Sequence, residues 1–237
     1  MTRRRDDRPA SALTLLAIDT SAAACAACVY DVAAGREIAR EVRDIGKGHA
    51  EHLLGVIETA LARAGMDFQA LDRIVVGIGP GSFTGIRVGV SAARGLALAL
   101  KIPAVGVASL EAIATEASAL AGGPPVLAAL DAGRGGIHAA IYDAAGSVLA
   151  APWLSTPDEA AREAARHGAV LAGSAAATVA AEADGGLAIV ATAALADIAT
   201  YARLGAGRAV GQKPAPLYLR GADAKPQAGF VLLRKDA

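Results

Sequence analysis

Four groups of residues have types and spacing that could do chemistry: a glycine-rich string, two aspartates, a histidine pair and a cysteine pair. The string Gly79–Gly85 lies between an apolar run and a long segment of small apolar residues. Strand, glycine turn and helix in this order can hold a phosphate on a helix N-terminus. However, a Walker A loop needs a lysine before its last Ser or Thr, and a dinucleotide fingerprint needs glycine where Thr84 stands. Pro80 also lacks an N–H donor. We therefore interpret the string as a structural turn, formed by Gly79, Pro80, Gly81 and Gly85.

Asp19 and Asp131 each end an apolar run and are each followed by small residues. Two such carboxylates could face each other across a cleft and hold Mg²⁺ with a phosphate. A small kinase or ATPase would use them with an adenosine loop near 172–174, although the Gly-Gly pair expected there is missing. The alternative is that both are turn residues that accept hydrogen bonds from backbone amides.

The histidine and cysteine pairs are poor metal or redox candidates. His49 and His52 are three residues apart, whereas a zincin helix places its histidines four apart, so an exposed polar helix start is expected. Cys25 and Cys28 lie in an apolar run that indicates a strand, where residues three apart point to opposite faces. With no second cysteine pair, we interpret both as small core residues, which suits a reducing cytoplasm.

The composition limits the function classes. The chain has 237 residues with 23 basic and 23 acidic side chains, and zero net charge argues against a protein that binds nucleic acid alone. Its hydrophobic content of 54% contains much alanine, and no charge-poor apolar run long enough for a membrane span is expected. Residues 1–11 carry three arginines like a signal peptide, but Asp6 and Asp7 interrupt the basic region and Asp19 ends the apolar stretch early, so a polar, disordered extension is expected.

The order of elements predicts an α/β chain of two lobes, 12–121 and 122–237, divided at a Gly-Gly-Pro-Pro string. Each lobe opens with a strand that ends in Asp, which suggests an internal duplication with a shorter second lobe. Helices are predicted at 49–64 and 83–100. The second of these helices carries two apolar stripes, Ile86, Val90, Ala93, Ala97 and Leu100, and Val88, Ala92, Leu96 and Ala99. One stripe should cover the sheet and the other should meet a partner or helix 49–64, unless the helix is fully internal.

Four strings together resemble the TsaB family, the dimerisation subunits of the bacterial tRNA threonylcarbamoyladenosine machinery. They are Ala17-Ile18-Asp19-Thr20-Ser21, His49-Ala50-Glu51-His52-Leu53-Leu54, Gly79-Pro80-Gly81-Ser82-Phe83-Thr84-Gly85-Ile86-Arg87, and Leu217-Tyr218-Leu219-Arg220. The resemblance is good over residues 13–143 and weak over 155–210. It implies an actin/Hsp70/sugar-kinase-like (ASKHA) fold and a cytoplasmic, non-catalytic scaffold. The glycopeptidase activity once attached to this superfamily has no Ser-His-Asp or zinc set to support it.

The resemblance also implies the partners. The catalytic paralogue TsaD would carry the metal and transfer threonylcarbamoyl to the adenosine next to the anticodon, the ATPase TsaE would join, and tRNA would bind only through the complex. This chain would need no cofactor of its own and would not meet a membrane. Ser109 and Ile113 stand where two metal-binding histidines of the paralogue would be, and isoleucine cannot ligate a metal.

The partner interface implied by the resemblance uses helices 49–64 and 83–100, and the same surface would form a homodimer when TsaD is absent. The residues expected to be exposed or to face the partner are His52, Val56, Arg87, Val90, Ser91 and Arg94. The two arginines could instead be ordinary solvated positions. A glutamate at Val56 or Val90 is expected to abolish pairing.

Overall fold

A computed structural model of the chain describes residues 13–183 and 185–219. The extension predicted over residues 1–11 lies outside these residues, and so does Arg220. Within the described part, ten strands form two sheets, and six α-helices cover the sheet faces. A short 3-10 turn, Phe68–Ala70, precedes the fourth strand.

The first sheet begins as an antiparallel meander and continues with parallel strands. Its strands are β1 (Thr14–Asp19), β2 (Ala24–Asp31), β3 (Arg36–Asp44), β4 (Arg73–Gly77) and β5 (Ala104–Val107). β1 pairs antiparallel with β2 and parallel with β4, so the order is β3-β2-β1-β4-β5. β1 is buried along its whole length because helices cover both faces of the sheet at its centre.

The second sheet repeats the topology of the first. Its strands are β6 (Val126–Gly133), β7 (Gly136–Tyr142), β8 (Val148–Ser155), β9 (Val170–Ala172) and β10 (Ile189–Ala191). Their order is β8-β7-β6-β9-β10, with β6 in the central place of β1 and with β9 parallel to it. The repeat confirms the predicted duplication and the two-lobed ASKHA fold.

The helices lie on the outer faces of the sheets and between them. They are α1 (His49–Arg63), α2 (Phe83–Leu100), α3 (Ser109–Ala121), α4 (Pro157–His167), α5 (Ala176–Ala181) and α6 (Ile198–Ala206). α1 and α2 cover the outer face of the first sheet, while α4 and α5 cover one face of the second. The bounds of α2 are those that the sequence predicts.

The two central helices cross the predicted lobe boundary. α3 packs Leu110 and Ile113 against β6 of the second sheet. α6 packs Tyr201 and Ala202 against β1 of the first sheet. The predicted division at 121/122 separates the two sheets. However, α6 follows this division and packs on the first sheet, so the residues after 121 do not all belong to the second lobe. Local apolar patterns cannot show which sheet a helix will cover.

Helix α2 meets the length and composition of a membrane span, contrary to expectation. In the structure it lies against β4, with Ile86, Val90 and Ala93 buried in the core of the first lobe. Arg87 and Arg94 are exposed on its other side. The alternative of a fully internal helix is therefore wrong.

Candidate functional site

The glycine string is a tight connection from β4 to α2 that packs against the turn after β1. The Thr20 hydroxyl donates to the Gly85 carbonyl at 2.8 Å, and Ser82 N donates to the Ser21 carbonyl at 2.6 Å. The Ser82 side chain caps α2 by accepting from Gly85 N at 3.2 Å. A Cβ atom on Gly85 would overlap the Thr20 carbonyl oxygen, and one on Gly81 would overlap the Ser21 carbonyl oxygen. These contacts support the interpretation of the string as a structural turn.

The two apolar stripes of α2 have different environments. Ile86, Val90, Ala93 and Ala97 of the first stripe are buried in the core under α1 and α2. Val88, Ala92 and Leu96 of the second stripe are partly buried and line an open groove beside α1, whereas Ala99 is exposed. The sequence shows that both stripes are apolar, but only the structure shows which one covers the sheet.

Val56 and Val90 are buried, so the prediction that they are exposed or face a partner is wrong. Val56 is 0% and Val90 3% exposed, and both belong to the core of the first lobe. A glutamate at either position would disrupt this core, so loss of pairing in such a variant would not identify an interface.

An open apolar groove lies between α1 and α2 of the first lobe. It has a volume of about 630 Å³ and is lined by apolar side chains with a few polar ones at the edge. Its lining residues are Ala50, Leu53, Leu54, Ile57, Thr84, Arg87, Val88, Ser91, Ala92 and Leu96. Leu54 is 54% exposed there, although a leucine of this kind is usually buried. A long apolar groove between two helices is a surface that a partner helix can fill.

The other residues predicted to face a partner are accessible. His52, Arg87, Ser91 and Arg94 are exposed. Arg87 and Ser91 line the groove, whereas Arg94 lines a second groove on the far side of α2. A role of these four residues in an interface stays a prediction.

An aromatic cluster at the N-terminal end of the groove was not predicted. The Arg87 guanidinium lies 3.6 Å from the centre of the Phe83 ring, and its Nε donates to the Tyr218 hydroxyl at 2.8 Å. The two rings are 5.6 Å apart and both are about half exposed. Leu217 N fixes the segment by donating to the Ile78 carbonyl at 2.8 Å. The one available sequence signal was the Leu-Tyr-Leu string in a chain with 3% aromatic residues.

Asp19 lies in a buried polar cluster beneath the turn. Its carboxylate accepts from Ser21 N at 3.2 Å and from the Ser21 hydroxyl at 3.0 Å. Burial raises the pKa of Asp19 to about 6, against the lowering effect of these hydrogen bonds and of the charge on His49. The Ser109 hydroxyl lies 3.4 Å from that of Ser21, and the fully buried Tyr201 packs beside them.

Asp131 has a different environment from Asp19. It is exposed, and its carboxylate accepts from Gly133 N at 2.7 Å. Asp19 and Asp131 share no contact in the described part of the chain, and each accepts an amide hydrogen two residues ahead. The structure therefore favours the interpretation of both as turn residues.

The other candidate ligands are separated or buried. His49 is 8% exposed rather than exposed as expected, because its Nε2 lies 2.8 Å from the Ala22 carbonyl oxygen. Cys25 and Cys28 point to opposite faces of the first sheet, as predicted. Ile113 packs in the core against the second sheet. Within residues 13–183 and 185–219, no three His, Cys, Asp or Glu side chains are placed to hold a metal ion.

Comparisons with known proteins relate the chain to proteins of tRNA threonylcarbamoyladenosine biosynthesis. The family model described as TsaD, tRNA N6-adenosine threonylcarbamoyltransferase, matches residues 43–202. The tRNA threonylcarbamoyladenosine biosynthesis protein TsaB of Escherichia coli K12 is 34% identical over 130 residues, or 55% of each chain. TsaB of Bacillus subtilis 168 is 35% identical over 133 residues, again 55% of each chain. The chain thus spans about half the length of the curated relatives it matches.

Solved structures extend the likeness to most of the chain. A crystal structure of a Pseudomonas aeruginosa protein described as similar to peptidase YeaZ superposes with a TM-score of 0.71 at 28% identity. That superposition covers 88% of this chain and 100% of the other. The P. aeruginosa YeaZ structure gives a TM-score of 0.69 at 27% identity.

Proposed function

The chain belongs to the TsaB family, and on that premise we propose that it is the non-catalytic subunit that binds TsaD and supports threonylcarbamoyl transfer to tRNA. The observation that carries this proposal is the open apolar groove between α1 and α2. The groove lies on the helices that the family resemblance implies as the pairing surface. Apolar side chains such as Leu54 and Ala92 would be buried from water when a partner packs there, which favours association.

The shape of the groove fits a pair of helices from the partner. α1 has 15 residues and α2 has 18, so a helix lying along them could make contacts over about 20 Å. Small residues on α2, among them Ala92, allow a second helix to approach closely. The same surface on a second copy would give a homodimer when TsaD is absent, and TsaD would compete with it.

The positions that correspond to the paralogue's metal histidines support a non-catalytic role. Ser109 is buried and directs its hydroxyl to Ser21, and Ile113 packs in the core. Neither side chain is placed or suited to bind a catalytic metal. We therefore assign ATP and metal to TsaD and TsaE, and we place the complex, with its tRNA substrate, in the cytoplasm.

Size-exclusion chromatography and calorimetry of the chain with TsaD from the same organism test this proposal. The wild-type chain should form a 1:1 complex. The variant Leu54→Glu, alone and combined with Ala92→Glu, should weaken that complex by about 100-fold or more because an unpaired charge would be buried. Leu54 is exposed in the free chain, so the single variant should keep its fold, whereas Ala92 is partly buried and the double variant needs a check of its fold by circular dichroism.

The matched control is Leu120→Glu, which makes the same change at a 71% exposed leucine near the end of α3. This control should pair as the wild type does. If the Leu54→Glu, Ala92→Glu variant bound TsaD with wild-type affinity, the groove would not be part of the interface. Absence of any complex with the wild-type chain would refute the proposed function itself.

A further inference from the structure

A second groove lies on the side of α2 that faces away from α1. It has a volume of about 550 Å³ and is bounded by the C-terminal half of α2 and by the segment that follows α6. The lining of the groove includes Arg94, Leu98 and Lys101 from the α2 side and Lys213 from the segment after α6. Cationic side chains from two distant parts of the sequence therefore converge on one opening.

The charge of this groove is one-sided. Arg94, Lys101 and Lys213 are all exposed, and none of them forms an ion pair with another residue of the described chain. Among the described residues that line the groove, none is acidic. Because the whole chain has zero net charge, this is a local concentration of positive charge rather than a general property of the surface.

Lys101 occupies a backbone position that usually favours glycine. It ends α2 in the left-handed conformation with φ 55°, whereas α3 and α4 end with Gly122 and Gly168 in that conformation. This left-handed conformation is uncommon for residues other than glycine. The position directs a cation to the rim of the groove.

The spacing of the cations fits a polymer better than a small anion. Arg94 and Lys101 are two helical turns apart, about 10 Å along the helix axis, so they can contact different phosphates of one strand. The helix end at Lys101 presents carbonyl groups, which repel an anion, so long cationic side chains must make the contacts. The 80% exposed Leu98 lies between them and can pack against a sugar.

We propose that this second groove binds the phosphate backbone of RNA through Arg94, Lys101 and Lys213. This departs from the expectation that tRNA binds only through the complex, because the positive charge is local although the net charge is zero. The inference rests on the proposed function in one respect, because that function supplies an RNA substrate. Contacts of this kind position an RNA without reading its sequence. The groove would hold the tRNA on the non-catalytic subunit while the partner protein occupies the other side of α2.

Fluorescence anisotropy of the full chain with a labelled tRNA transcript, between 50 and 200 mM KCl, tests the proposal. Three phosphate contacts give a slope of about −2 to −3 in a plot of log K against log salt. The double variant Lys101→Glu, Lys213→Glu should lose about two units of that slope and bind about tenfold more weakly or worse at the lowest salt. The charge-preserving variant Lys101→Arg, Lys213→Arg should bind as the wild type does.

The matched control is Arg36→Glu, Lys47→Glu, which makes the same change in net charge at two exposed positions outside the groove. This control should retain RNA affinity. Equal affinity of the two glutamate variants would overturn the proposal. Displacement of the RNA by low millimolar inorganic phosphate would assign the groove to a small free phosphate and would also overturn it.

A pairing assay with TsaD separates this inference from the proposed function. The Lys101→Glu, Lys213→Glu variant should pair normally with TsaD, and Leu54→Glu should bind RNA normally. Loss of pairing with unchanged RNA binding in the lysine variant would make the groove part of a protein interface and would refute RNA binding. RNA binding by the wild-type chain remains measurable even if TsaD does not pair with it.

Discussion

Gly85 and Gly95 lie on the same helix and should respond in opposite ways to replacement by alanine. A Cβ atom on Gly85 would approach the Thr20 carbonyl oxygen far more closely than 3.0 Å, which real Cβ atoms essentially never show. A Cβ atom on Gly95 would meet nothing within 4 Å. Both residues are in α2, so the change in helix propensity is similar and only the packing differs.

The magnitudes follow from this difference. Replacing an unconstrained helical glycine by alanine stabilises a helix by about 1 kcal/mol, so Gly95→Ala should raise the free energy of unfolding by about that amount. At Gly85 the same gain is opposed by overpacking, which costs about 1–3 kcal/mol. The 2.8 Å hydrogen bond from Thr20 to the Gly85 carbonyl would also be strained, which costs about another 1 kcal/mol. The net effect of Gly85→Ala should be a loss of about 2 kcal/mol.

Urea and thermal unfolding of the two variants beside the wild type provide the assay. The melting temperature should rise by about 2–4 °C for Gly95→Ala and fall by about 4–8 °C for Gly85→Ala. The urea m-value should stay constant, because the surface exposed on unfolding does not change. If Gly85→Ala were as stable as the wild type, the glycine string would not be held by close packing against the turn after β1.

Two further predictions concern buried ionisable groups. Because burial raises the pKa of Asp19 to about 6, its stabilising contribution is full below about pH 4 and is lost as the pH rises through about 6. Relative to Asp19→Asn, the wild-type chain should therefore lose up to about 3 kcal/mol of unfolding free energy between pH 4 and pH 7 in urea titrations, and a difference independent of pH would contradict this assignment. Burial likewise raises the pKa of the Cys25 thiol to about 11 and that of Cys28 still further, so neither should react with Ellman's reagent at pH 8 until the chain is unfolded. Rapid labelling of either thiol in the folded chain would show that its strand is not buried.

The sequence was sufficient to predict features that depend only on neighbouring residues. The Ser82 cap, the long apolar periodicity and the absence of proline determine α2, and its predicted bounds are those of the structure. Alternation along β2 places Cys25 and Cys28 on opposite faces without any tertiary information. In contrast, α5 was missed because its alanine-rich sequence has little periodicity, and β10 was missed because three residues are too few to show an alternation.

Features that depend on distant contacts could not be predicted. Both stripes of α2 are apolar, so the sequence could not show that Val90 covers the sheet while Ala92 faces the groove. The contact of Arg87 with Tyr218 joins residues 131 positions apart, and no local pattern reports it. The convergence of Lys101 and Lys213 is hidden for the same reason.

Hydrogen–deuterium exchange of the chain, alone and with an excess of TsaD from the same organism, tests the central claim most directly. The amides of α1 (His49–Arg63) and α2 (Phe83–Leu100) should exchange more slowly in the mixture. Those of α4 (Pro157–His167), on the second lobe, should be unchanged and serve as an internal reference. Binding of TsaD that protects only the second lobe, or that leaves α1 and α2 unchanged, would contradict the assignment of the groove as the pairing surface.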